Sequence, residues 1–184
     1  MKKIVALLLC TSAIFTSACG SKVRENQKFK DADVKKVKLE YQIYNKDVID
    51  SQFTWYSEYI IDFVESSRVN NYMVDKAKLD AQIQIVDAKL DELKNLNKDY
   101  IKKSIDLDAK HNLKNNEEDT VYKNRIKEDK KNIANNINQM EKILNLVKSG
   151  LELGKDGTFD QSDQNKLKES QKEIIRIYDN NIKR

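Results

Sequence analysis

This 184-residue sequence has no proline, four glycines, two cysteines, one histidine and one tryptophan. Each scarcity narrows the field. A sheet protein with many tight turns would need more glycine and proline than this. One histidine excludes a histidine-rich metal site and leaves a single candidate for any histidine-dependent nucleophile. Cys10 lies in an apolar leader and Cys19 just behind it, so removal of the leader leaves no intrachain disulfide and the body must be held by packing. A Gly-rich phosphate loop is also missing, because the glycines lack the lysine-serine/threonine ending and the preceding strand.

The N-terminus carries the clearest motif. Lys2 and Lys3 precede twelve largely apolar residues, Ile4 to Phe15. Spanning a bilayer takes ~20 such residues, whereas a cleavable export signal has a core of ~7–15. Thr16, Ser17 and Ala18 are small, as a signal peptidase requires, and Cys19 follows. This stretch resembles the signal peptide and lipobox of bacterial lipoproteins, which end in a small residue and the cysteine to be acylated. Thr16 departs from the pattern, which usually has leucine there. The resemblance implies lipid attachment (palmitate among the acyl chains) at Cys19. It also implies a place in the cell envelope, on the outer side of the cell membrane or at the outer membrane. Ordinary secretion with a free Cys19 thiol is the alternative. Residues 1–18 are thus expected to be a signal peptide, 19–30 a polar tether and 31–184 a helical bundle domain.

Charge is uneven. The chain is +4 overall, and two of its 34 basic residues belong to the leader. From Lys22 to Lys38 there are seven basic and three acidic residues, so the chain beyond Lys38 is close to neutral. A nucleic-acid partner would call for a strongly basic body and is not expected. The basic segment beside Cys19 suits either a solvated linker or an anionic membrane surface.

Charged residues make up 35% of the sequence, above the ~25% of an average domain. The apolar residues among them recur at helical spacing. Val34, Val37, Tyr41, Tyr44 and Val48 form one stripe, which broadens from Phe53 to Val64. Asn70-Asn71 suits a turn and Asp75 an N-cap. Leu79, Ile83, Val86, Leu90, Leu93, Asn97, Tyr100, Ser104 and Leu107 keep a 4, 3 spacing that predicts one helix to about Leu113 with a coiled-coil seam. Its polar positions Asn97 and Ser104 either set register or mark a drift of the seam onto Leu96, Ile101 and Ile105. Asp99/Lys103 and Asp106/Lys110 fall at pairing distance along the helix. After a break at His111–Asp119, a third helix carries Ile126, Ile133, Ile137, Met140, Leu144, Val147 and Leu151, with Lys130 as an intruder. Gly150, Gly154 and Gly157 predict an irregular connection, and Asp160 with Asp163 the start of a fourth helix. The expected fold is all-α: an elongated antiparallel three-helix bundle or coiled coil with a fourth, shorter helix packed back on it.

No catalytic, cofactor or metal residues emerge. His111 reads as an exposed turn residue. Asp156, Gly157, Asp160 and Asp163 lack the spacing of a calcium loop, since the twelfth position is Leu167, and read as a turn and a cap. Glu117, Glu118 and Asp119 are contiguous and do not converge on a cleft. Eight of the thirteen aromatics after the leader lie between Tyr41 and Tyr72. They read as core, but Trp55 and Tyr59 fall on a different face from Phe53, Tyr56 and Phe63 and are the candidate interaction patch. The expected function is therefore a non-enzymatic lipoprotein, held to the membrane by its N-terminal lipid, that binds another envelope component, protein or cell-wall polymer. A self-associating coiled-coil spacer (a homo-oligomer through the Leu79–Leu107 seam) and a phage or plasmid exclusion lipoprotein are the alternatives.

Overall fold

A computed structural model describes residues 31–50, 52–113 and 120–182, with side chains for all of these but 31, 32, 52–59 and 111–113. Residues 1–30, including Cys19, and the turn expected at Asn115-Asn116 lie outside it, as does the acidic run Glu117–Asp119. The described residues are helical, with one isolated antiparallel bridge between Met73 and Thr158 and no β-strand. The helices are α1 (Asp31–Tyr44), α2 (Gln52–Arg68), α3 (Lys76–Lys94), α4 (Lys98–Leu113), α5 (Thr120–Glu152) and α6 (Gln161–Asn181). None is long and apolar enough to cross a membrane.

At 33 residues α5 is the longest helix, about 50 Å from end to end. Its stripe of Ile133, Ile137, Met140, Leu144, Val147 and Leu151 is buried as the spacing predicts, while Ile126, the first residue of that stripe, is only half-buried. Ile143 joins it and widens the apolar face. Helices α2, α3, α4 and α6 all pack on α5. Two ion pairs fix the register. Lys148 on α5 meets Asp87 on α3 at 2.6 Å, and Lys130 meets Asp106 on α4 at 2.7 Å. Position numbers fall along α5 as they rise through α3 and α4, so the chains run antiparallel. Lys130, the intruder in the sequence pattern, is thereby accounted for.

The single helix expected from Asp75 to Leu113 is two helices. Asp75 does cap the first, accepting a hydrogen bond from the Lys78 amide. The break comes at Asn95–Asn97, where two asparagines divert backbone hydrogen bonds to their own side chains. Asn95 Nδ2 donates to the Asp91 carbonyl at 2.8 Å, and Asn97 Oδ1 accepts from the amides of Asp99 and Tyr100 at 3.1 Å. Glu40 of α1 accepts from the Asn97 amide itself at 2.9 Å. The seam turns at this point. Leu79 to Leu93 are buried as predicted, but Asn97 is exposed and Leu107 is 38% exposed, while Leu96, Ile101 and Ile105 take the core positions. Asn97 is a helix cap and does not set register from inside a core. His111 falls inside α4 instead of in a turn.

A second interruption separates α1 from α2. Asn45–Ile49 forms a π-turn, closed by the Asp50 amide donating to the Asn45 carbonyl at 2.6 Å. The wider turn keeps Val48 fully buried in the α1 stripe. The Tyr178 hydroxyl of α6 donates to the Ile49 carbonyl at 2.9 Å, so this backbone oxygen is satisfied from across the core.

The α2–α3 and α5–α6 connections are tied together. The turn at Asn70-Asn71 forms as expected, with Asn71 and Tyr72 in the left-handed region at φ 52° and 60°. Asparagine tolerates that region; tyrosine does so at a cost that its packing against the core offsets. Val74 N–H then donates to the Gly157 carbonyl at 2.8 Å, and Phe159 N–H to the Tyr72 carbonyl at 3.0 Å. Phe159 is 1% exposed and meets Phe63 edge to face at 6.1 Å between centroids. Asp160 caps α6, accepting from the Asp163 amide at 2.8 Å.

The glycine-rich segment is less irregular than expected. Gly150 lies within α5, which runs on to Glu152. A Cβ at Gly150 would come within 2.9 Å of Ile60 and 3.0 Å of Leu167, so the missing side chain lets α2 and α6 approach α5. At Gly154 a Cβ would come within 2.6 Å of the Phe159 ring. Gly154→Ala is therefore expected to destabilise the fold by about 1–3 kcal/mol through overpacking. Gly150→Ala should cost less, because alanine restores up to ~1 kcal/mol of helix propensity. Urea midpoints of the two variants check the order.

Candidate functional site

The described residues place three polar contacts around the π-turn, where α3, α5 and α6 each contribute a side chain. Asp47 is carried inward by that turn and is 3% exposed. Lys89 of α3 reaches its Oδ2 at 3.1 Å and the Glu92 carboxylate at 2.7 Å. Burial pulls the Lys89 ammonium down, but the hydrogen bonds and fields of Glu92 and Asp47 outweigh it, so its proton is held more tightly than in an ordinary lysine. Such a lysine is a cation at neutral pH and a poor nucleophile. Asp47 Oδ1 is buried with no hydrogen-bond partner among the described residues. The geometry suits an electrostatic clip that fastens the π-turn to α3.

Beside it, Asn136 of α5 donates from Nδ2 to the Tyr44 hydroxyl of α1 at 2.9 Å, both side chains being buried. Burial is the main cause that pushes the Tyr44 phenol up to about 12, with the Asn136 hydrogen bond pulling the other way. The third contact is the bond from Tyr178 to Ile49. Together these tie α1 and the π-turn to α3, α5 and α6, and no step of acid–base chemistry follows from them.

None of these contacts is a site expected from the sequence. Cys19 lies outside the described residues. Trp55 and Tyr59 fall on α2, but their side chains also lie outside what is described, as does that of His111. Asp156 accepts from the Thr158 amide at 3.0 Å and Asp160 caps α6, so the carboxylates of this segment serve a turn and a helix end. Among the described residues no cluster of histidine, cysteine, aspartate or glutamate could hold a metal ion. Asn136 was legible in part, since it lies three residues after Ile133 and four before Met140 on the α5 stripe. Phe159 was legible too, as an apolar residue directly before a cap. Asp47 gave no signal, because its burial depends on the widened turn. No family model, curated protein or solved structure matches this chain.

The unfolded chain holds Tyr44 near 10.0 and the native chain near 12, so the native state binds this proton more tightly. The stability it contributes is present below pH 10 and lost as pH rises toward 12. Tyr44→Phe should remove a loss of about 3 kcal/mol between those limits, read as a shallower fall of the urea midpoint than in the native chain. Lys89→Ala should destabilise by about 3 kcal/mol at neutral pH by leaving Asp47 buried and unpaired. Restoring much of that loss with Asp47→Asn in the same chain would confirm the origin of the effect by double-mutant cycle.

Proposed function

We propose that this protein is a non-enzymatic lipoprotein of the bacterial envelope, held to a membrane by acylated Cys19 and presenting a helical body that binds another envelope component. The observation that carries this reading is the order of parts. An export-type leader ends at a small residue and Cys19, twelve residues from Cys19 to Lys30 follow, and at Asp31 a helical unit with its own core begins. The body is read as three antiparallel helical runs, α1–α2, α3–α4 and α5, with α6 folded back along α5. The Asp87–Lys148 and Asp106–Lys130 pairs support this for the second and third runs. An unbroken coiled coil is not supported, because the seam turns at Asn97.

The self-associating spacer loses its intended surface in this reading. Leu79, Ile83, Val86, Leu90 and Leu93 are buried within one chain, where α3 packs on α5. The interaction patch at Trp55 and Tyr59 remains the proposed contact for an envelope protein or polymer.

Intact mass spectrometry of the chain extracted from membranes should show a mature form beginning at acylated Cys19. Cys19→Ser should abolish the acyl mass and release the protein from the membrane fraction. An unmodified N-terminus in the native chain would remove the anchor from the proposal. Pull-down from the native envelope should recover a partner that a Trp55→Ala, Tyr59→Ala variant loses while keeping its helical circular dichroism.

A further inference from the structure

The outer face of α1, continued by the π-turn, is rich in lysine. Lys35, Leu39, Gln42 and Lys46 succeed one another at i, i+4, i+7 and i+11, with Lys36 and Lys38 flanking, and all six are exposed. The opposite face, Val37 and Tyr44, is buried. Asp50, four positions beyond Lys46, is exposed at the end of the π-turn. Glu40 is turned to the Asn97 amide, Asp47 is buried, and Asp33 is half-buried. None of the four lysines forms an ion pair with a described residue. Helix α6 differs in this respect. Three of its four basic residues are matched along the same helix, Lys166 to Asp163, Lys172 to Glu169 and Arg176 to Glu173, and Lys168 is not. Leu39, 55% exposed, is the large apolar side chain that α1 leaves on this face among its lysines.

Chain length sets what lies within reach. From Cys19 to Asp31 there are twelve peptide steps, at most about 40 Å of extended backbone. Lys22, Arg24, Lys28 and Lys30 on that stretch outnumber Glu25. We infer that the Lys35–Lys46 face of α1 and the π-turn rests on the anionic headgroups of the membrane that anchors Cys19, with Leu39 entering the interface. This rests on the acylation reading. The lysine stems would lie along Leu39 and the upper acyl region while their ammonium groups meet lipid phosphates. The consequence is an oriented body, with α1 turned to the leaflet and α6 left free of it.

The test uses the full chain purified from membranes and placed in bilayers of phosphatidylcholine alone or of phosphatidylcholine with phosphatidylglycerol. Amine-reactive footprinting should show Lys35, Lys36, Lys38 and Lys46 several-fold less reactive in the anionic bilayer, with Lys168 and Lys172 on α6 unchanged. Protection should vanish in 1 M salt, where the Debye length is about 3 Å. Equal labelling in both bilayers would overturn the inference and leave the lipid anchor standing. A second arm isolates the surface from the anchor. The chain from Gly20 onward retains the whole body, and its binding to phosphatidylglycerol vesicles should fall on the order of 1,000-fold when the four lysines become glutamine. Undiminished binding by that variant, with an unchanged melting curve, also overturns the inference. If mass spectrometry finds no acyl group, the anchor fails, while the vesicle arm still reports on α1.

Discussion

The apolar stripe of α5 is the constraint on which the body depends. Residues 20–184 contain no cysteine, so the body has no disulfide and one 33-residue helix gives the other helices a common surface. Helices α2, α3, α4 and α6 all bury residues against it, and α1 reaches it through the Tyr44–Asn136 bond. Each fully buried leucine or isoleucine contributes ~1.5–3 kcal/mol, and the stripe also buries the residues that the other helices turn toward it. Gly150 has a part in the same contact, because its bare backbone sets how closely Ile60 and Leu167 can come.

The breaks in the remaining helices follow from that surface. The α3–α4 run ends one helix and starts another at Asn95–Asn97, which turns the buried seam and brings Leu96, Ile101 and Ile105 into the core. The α1–α2 run inserts a π-turn, which carries Asp47 inside and obliges Lys89 to meet it. At the joined connections, Phe159 closes the core beneath the Tyr72 turn, held by Val74–Gly157 and Phe159–Tyr72 backbone bonds. Each interruption is fastened by a side chain or backbone group from a different helix. The departures from regular helix are therefore the places where long-range polar contacts gather.

The proposed placement in the envelope joins these features to the N-terminal motif. The buried polar contacts fasten helices to one another. Exposed lysines that form no ion pair with a described residue stand on α1 and the π-turn, whereas three of the four basic residues of α6 are paired along the helix. A lipid on Cys19 together with a basic face would give two membrane attachments of different kinds, one hydrophobic and one sensitive to salt.

The all-helical class and the α5 stripe were readable because both depend on local spacing and on the scarcity of glycine and proline. The Asp75 and Asp160 caps were readable because a cap is satisfied by the backbone within three residues. The basic stretch near Cys19 was plain in the sequence; that its lysines on α1 share an exposed face needed the fold. Other features were decided only by tertiary contact. Whether the seam continued through Asn97 or drifted depended on Glu40, 57 positions away, holding the Asn97 amide. The burial of Asp47 depended on Lys89, 42 positions away. Periodicity reports which side of a helix is apolar; it carries no information about where a distant side chain makes a break in that helix affordable.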